Sequence, residues 1–199
     1  MILHLLLTAL ISYLIGTIPF ALIFSKLLAK KNPGKEGSKN YGALNSYEIT
    51  GKKIVGLLVL LFDAMKGALA VLFAYYCIFP KSFYAVIAAF FVVLGHNFNI
   101  FLKFKGGRGL ATSLGALLVF NPFILIVWCS VWFLFYKIIK NDILFANTWA
   151  SLITPVVIFS APDYAFYIFN YNFNIVILEY KIFAIMLCMI IIAAHYRKS

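Results

Sequence analysis

Acidic residues are scarce in this chain: six Asp and Glu stand against 17 Lys and Arg, for a net charge of +11. Charged residues of both signs make up only 12% of it, too few to coat a soluble domain. Cysteine is sparse too. Cys77, Cys129 and Cys188 stand alone in apolar stretches, without the spacing of a metal site or a disulfide framework, and read as buried structural thiols. There is no internal repeat, low-complexity tract or flexible linker. A basic leader with a small-residue cleavage site is also missing, so residues 1–29 read as a retained first helix and not a cleaved signal.

What is abundant is apolar. Hydrophobic residues account for 64% of the 199 and aromatics for 18%, and the mean hydropathy is +0.99. Lipid must solvate much of such a chain. We therefore expect one integral-membrane domain, 1–199, all-α and polytopic. Apolar segments lie near 3–29, 54–79, 83–101, 109–120, 122–139, 148–161 and 175–195. Asn121-Pro122 splits the run 109–139 in two, because the residue before a proline disfavours helix. Five spans also fit, since the charges require only an odd number. With the N-terminus outside, fourteen of the 17 basic residues fall at inner loops or the C-terminus. Lys81 and Lys181 fall outside, and Lys66 lies within a span. That asymmetry predicts seven transmembrane helices with a cytoplasmic C-terminus. The basic balance points to anionic headgroups at the surface of a membrane crossed many times, and not to nucleic acid.

The inner loops carry the polar chemistry. Residues 95–115 hold a basic glycine turn, Gly106-Gly107-Arg108-Gly109, flanked by Lys103 and Lys105. Glycines let backbone amides approach an anion, and a helix starting near Leu110 would add its N-terminal dipole, with Thr112 and Ser113 in its first turn. A phosphate site is the reading; an interfacial anchor for headgroups competes with it. His96 and Asn97 end the preceding span. The first inner loop, Gly37-Ser38-Lys39-Asn40-Tyr41-Gly42-Ala43-Leu44-Asn45, offers donors for an oxyanion, or is an ordinary polar turn. Asp63 and Lys66 share a helical face. Such a pair either ties helices together or orders the inner loops around an anion. In the third inner loop, Asn147 or Thr148 reads as a helix N-cap and Ser151 as a small packing residue. His195 closes the last span at the inner surface. His4 lies near the outer face and takes no role.

These segments together resemble the bacterial membrane-bound acyl-phosphate:glycerol-3-phosphate acyltransferases. Gly16 to Phe20 looks like the family's first-span motif. Gly37 to Asn45 resembles G-S-G-N-x-G-A-T-N, and Asp63 to Gly67 resembles D-x-x-K-G. Gly95 to Gly115 follows G-H-x-F-x-x-F-x-x-F-x-G-G-K-G-x-A-T-x-x-G. Ser151 and His195 match more loosely. The resemblance implies seven helices with the site at the cytoplasmic face. It implies acyl transfer from acyl phosphate to the sn-1 hydroxyl of glycerol 3-phosphate, giving lysophosphatidic acid, the first step of phospholipid synthesis, with no cofactor, metal or covalent acyl-enzyme. An acyl-phosphate-making enzyme is an implied partner.

Carried over residue by residue, the resemblance implies catalytic roles for His96, Arg108, Ser151 and His195. It implies substrate binding by Gly37, Ser38, Asn40, Gly42, Asn45, Lys66, Asn97, Lys105, Gly106, Gly107, Gly109 and Thr112. The chain departs from the pattern at Lys39, Leu44 and Arg108, which replace Gly, Thr and Lys. Glu48 replaces an Arg, which puts a carboxylate beside the presumed anion site unless it faces away. Lys198 stands where the family has Asn. The competing readings are a non-catalytic relative that binds phosphorylated lipid or glycerol phosphate, and an anion or lipid-phosphate transporter. Few ionisable groups in the outer half, and no inverted repeat, argue against transport.

Overall fold

The computed structural model describes residues 2–169 and 176–197. Among these every regular element is helical. The first span is two helices, α1 (Ile2–Gly16) and α2 (Phe20–Ala29). They break at Thr17-Ile18-Pro19, where proline lacks an amide to continue the ladder. A polar loop leads to the short α3 (Ala43–Thr50) and then to α4 (Lys53–Phe73). α5 (Ser82–Asn97) ends at the glycine-rich segment, from which α6 (Leu110–Phe120) departs. α7 (Pro122–Leu134), α8 (Ile143–Ser160), the one-turn α9 (Tyr164–Ile168) and α10 (Ile177–Tyr196) complete the chain.

Among the described residues, six helical stretches are long and apolar enough to cross a membrane: Ile2–Ala29, Lys53–Ile78, Ser82–Leu102, Pro122–Ile139, Ile143–Ser160 and Ile177–Tyr196. The expected fourth segment is the shorter apolar helix α6, of 11 residues. At about 1.5 Å per residue it covers roughly half a hydrocarbon core. The split at Asn121-Pro122 is borne out. Asn121 caps α7 by accepting from the Phe123 amide at 2.8 Å, and it also donates to the Phe166 carbonyl at 3.0 Å.

Three expectations need correction. The span foreseen from residue 148 begins at Ile143, and its cap is Asp142, whose Oδ1 accepts from the Phe145 amide at 2.9 Å. Asn147 and Thr148 lie a turn inside it. The Thr148 hydroxyl bonds back to the Leu144 carbonyl at 2.8 Å, so the polar run 147–151 imitates a helix start without being one. Cys77 and Cys129 are exposed, and only Cys188 of the three thiols is buried. Residue 175, the foreseen start of the last span, and Lys198, counted on the inner side, lie outside the described residues.

Close packing rests on small residues, as it must where lipid supplies no hydrophobic drive between helices. A Cβ on Gly16 would meet the Val92 carbonyl at 2.2 Å, and one on Gly95 the Tyr13 carbonyl at 2.2 Å. These two glycines seat α1 on α5. Gly67 against the Thr112 carbonyl (2.1 Å) and Gly115 against the Ala64 carbonyl (1.8 Å) seat α4 on α6 in the same way. The core between them gathers Val92, Val93, Leu117, Phe120, Tyr180 and Phe183. The result fixes the ends of α5 and α6 beside α4, where the polar segments meet.

Candidate functional site

Lys66 and Asp63 are both almost fully buried on α4, with Nζ 2.6 Å from Oδ1. The ammonium has three protons and three acceptors: Asp63, His96 Nδ1 at 2.9 Å and the Ile18 carbonyl at 3.0 Å. A buried charge is tolerable only when so satisfied. Because the ammonium only donates, Nδ1 of His96 is the acceptor and its proton sits on Nε2. The trio joins α4, α5 and the break in the first span. It lies beneath the glycine loop and does not line the open cleft. Lys66 and His96 are therefore placed to support that loop.

The loop between α2 and α3 is organised from within. Asn45, 1% exposed, accepts from the Ser38 amide at 2.9 Å. Its own amide donates to the carbonyls of Asn40 (2.8 Å), Pro33 (3.0 Å) and Glu36 (3.4 Å). Gly37 takes φ +59, and a Cβ there would lie 2.2 Å from Asn45 Oδ1. Gly42 is the N-cap of α3. Asn45, Gly37 and Gly42 thus shape the loop, while Ser38 and Asn40 face outward into the cleft. Glu36 also braces it, its carboxyl held below the usual range first by Lys31 and then by the Asn32 amide. Burial pushes the Tyr41 phenol up.

The glycine loop packs onto the end of α5. Gly107 donates its amide to the His96 carbonyl at 3.1 Å, and Gly106 accepts from the Tyr41 amide at 3.4 Å. The Gly107 amide is thus occupied; this glycine contributes closeness and not a donor. Gly109, at φ +81, is the N-cap of α6 and has no side chain to cap it. The first amides of any α-helix lack internal partners, so those of α6 remain for a ligand. Asn97, fully buried, donates to the Ile190 carbonyl at 3.4 Å, and its Oδ1 has no partner among the described residues. Thr112 is buried, and its hydroxyl too has no partner among the described residues.

Two polar clefts share the wall formed by Ser38, Asn40 and Arg108. The first, about 120 Å³, is cationic: Lys39, Lys105, Arg108 and Arg197 face it together with His195. The second, about 470 Å³, carries Glu48 and Asp142 opposite Arg108. Glu48 does not face away. Burial draws the Arg108 guanidinium's pKa down, and the Glu48 carboxylate partly restores it. An apolar groove of about 160 Å³ begins at Leu110, just past the glycine loop, and at Ile191, one turn from His195. It runs along Ala111, Leu114, Leu117 and Trp128.

His195 is held in one tautomer. Trp132 Nε1 can only donate, and it donates to Asn147 Oδ1 at 2.8 Å. The Asn147 amide nitrogen is then the donor to His195 Nε2 at 3.0 Å, so Nδ1 carries the proton and gives it to the Ile191 carbonyl at 2.8 Å. Ser151 is 1% exposed and accepts from Trp128 Nε1 at 3.1 Å. It lies behind the groove and lines neither polar cleft.

Of the foreseen residues, the fold brings Ser38, Asn40, Lys105, Arg108 and His195 to one cleft. It places Asp63, Lys66, His96 and Asn97 behind them, and Asn45, which braces the loop, at the wall of the second cleft. Sequence reasoning missed Arg197 and Asn147 as site elements and gave Lys39 no role. Lys39 holds φ +55, a left-handed position that favours glycine. That conformation, at a place where the resembling motif has Gly, was the available signal.

The family described as glycerol-3-phosphate acyltransferase matches residues 6–199. This chain belongs to the glycerol-3-phosphate acyltransferase family. A glycerol-3-phosphate acyltransferase of Pelagibacter ubique (strain HTCC1062) is 37% identical over 190 residues, 96% of this chain and 89% of that protein. One from Bartonella quintana (strain Toulouse) is 42% identical over 156 residues, 77% of this chain and 73% of the relative. The crystal structure of PlsY, an integral membrane glycerol 3-phosphate acyltransferase, in its glycerol 3-phosphate form superposes with a TM-score of 0.75 at 27% identity. The match covers 96% of this chain and 88% of that one. Its lysophosphatidic acid form gives 0.74 at 28% identity, with the same coverage. This chain is thus a multi-pass, all-helical membrane protein.

Proposed function

We propose that this acyltransferase makes lysophosphatidic acid by moving a fatty acyl group from acyl phosphate to the sn-1 hydroxyl of glycerol 3-phosphate. One observation carries the reading: a cationic cleft walled by Ser38, Asn40 and Arg108 opens beside an apolar groove. A substrate with a phosphate head and a fatty tail matches both surfaces at once. The phosphate takes the amides of α6 and the charges of Arg108 and Lys105. The tail takes Leu110, Ala111, Leu114 and Leu117. Glycerol 3-phosphate enters on the His195 side.

The hydroxyl oxygen attacks the acyl carbonyl carbon, and the bond from that carbon to the phosphate oxygen breaks. Phosphate departs with the electron pair, and the hydroxyl proton passes to it or to His195 Nε2 once Asn147 yields. Phosphate is already a good leaving group, so positioning and charge neutralisation supply much of the rate. The charge pattern supports seven crossings, counting α6, with the N-terminus outside and the cleft at the cytoplasmic face of the inner membrane.

The test supplies palmitoyl phosphate and labelled glycerol 3-phosphate to protein in lipid mesophase. Lysophosphatidate forms with the wild type, and Arg108→Ala abolishes it. Wild-type protein that binds both substrates yet yields no product would overturn the proposal and favour a non-catalytic relative.

A further inference from the structure

Arg197 follows the last turn of α10, far in sequence from the glycine loop, yet it grips that loop at several points. Its Nη1 donates to the carbonyls of Asn97 and, at 3.3 Å, Phe104; its Nη2 donates to the Gly106 carbonyl at 3.0 Å. Its guanidinium lies 5.5 Å over the Phe98 ring. We propose that Arg197 is a positioning residue: it clasps the carbonyl side of the loop so that the other side stays electropositive for a substrate phosphate. This rests on the phosphate reading above.

Two features of the loop explain why a clasp is needed. Lys103 and Phe104 are consecutive non-glycine residues at φ +55 and +59, conformations that persist only when neighbours enforce them. Phe104 is held on one side by its amide, which donates to the Asn99 carbonyl at 2.8 Å. Arg197 holds the other side, through the Phe104 carbonyl. The second feature is charge. The three gripped carbonyls carry partial negative charge close to a cleft lined by Lys105 and Arg108. Left loose, the Asn97 and Phe104 carbonyls could turn towards the cleft and weaken it for an anion, and the Gly106 carbonyl would keep only its long bond to the Tyr41 amide. A planar guanidinium can reach all three; an ammonium cannot hold that fork.

The test uses the full chain. Arg197→Ala raises the KM for palmitoyl phosphate about tenfold, leaves that for glycerol 3-phosphate within about twofold, and methylguanidine restores the loss. Arg197→Lys resembles Arg197→Ala. Phe104→Gly, which removes the left-handed strain, recovers part of the loss when combined with Arg197→Ala. Inorganic phosphate titrated into each variant gives a readout independent of turnover: affinity falls about fivefold in Arg197→Ala. Arg197→Gln carries the same measurements if the alanine variant does not fold. Equal changes in both KM values, a lysine variant that behaves as wild type, or unchanged phosphate affinity would overturn the clasp. Absence of product from the wild type with the phosphate difference intact would instead strike only the acyl-transfer reading.

Discussion

Gly107 sits directly against the imidazole of His96: a methyl group on residue 107 would come within 1.9 Å of Nε2. The ring cannot step aside, because Nδ1 is held by Lys66 and Lys66 by Asp63. The glycine loop is therefore moulded on a fixed imidazole. Gly107→Ala should lower kcat/KM about 100-fold by displacing the loop. Gly107→Ala combined with His96→Ala should regain part of the acyl phosphate affinity. A kinetically silent Gly107→Ala would show that the loop is not moulded this way.

The buried trio predicts a stability pattern. Asp63→Asn leaves the Lys66 ammonium buried beside neutral partners and should cost about 3–5 kcal/mol. Asp63→Leu with Lys66→Met removes both charges and should recover most of that. Unfolding of the detergent-solubilised protein, monitored by circular dichroism, separates the two. A double variant as unstable as Asp63→Asn would count against the charge argument.

Glu48 stands in the second cleft opposite Arg108, where its carboxylate opposes a phosphate. Glu48→Arg should leave turnover intact or raise it, and should lower the KM for palmitoyl phosphate, whose phosphate takes Arg108, about threefold or more. A Glu48→Arg enzyme that loses turnover would mean that the carboxylate serves the substrate hydroxyls instead.

The groove predicts chain-length selection. Ala111→Phe fills it near its entrance, so kcat/KM for palmitoyl phosphate should fall relative to shorter acyl phosphates. Each methylene kept from apolar contact is worth about 0.8 kcal/mol, close to fourfold. Steady-state kinetics over an eight- to sixteen-carbon series reads the shift. An unchanged profile would move the tail elsewhere.

Asp142 predicts a pH dependence. Its carboxyl is held below the usual range, chiefly by the Phe145 amide. It therefore stabilises α8 fully above its unfolded value of about 3.9, and the gain is lost as pH falls through the lower folded value. Asp142→Ala should lower stability at neutral pH by removing the cap. The gap between wild type and Asp142→Ala should narrow below about pH 4. A gap independent of pH would mean that the cap's charge is immaterial.

Much of this molecule was legible along the chain. The apolar runs, the break at Asn121-Pro122 and the start of α6 at Leu110 follow from local preferences, and so does the clustering of cations beside glycines. The start of α8 was not legible, because two polar stretches compete for it and only packing chose Asp142. Nor was the division of labour inside the motifs. Asn45 and Ser38 stand in one loop, but the first turns inward to tie carbonyls and the second faces the cleft.

Transfer between water and lipid is settled residue by residue, and the conformational bias of glycine and proline is carried within a few positions. The sequence alone therefore determined which stretches enter the membrane and which polar stretches stay at its surface. Direction and partnership depend on contacts between residues far apart in the chain. Only the tertiary structure decided that Lys66 donates to His96, that Ser151 lies behind Trp128, and that Arg197 returns to Gly106.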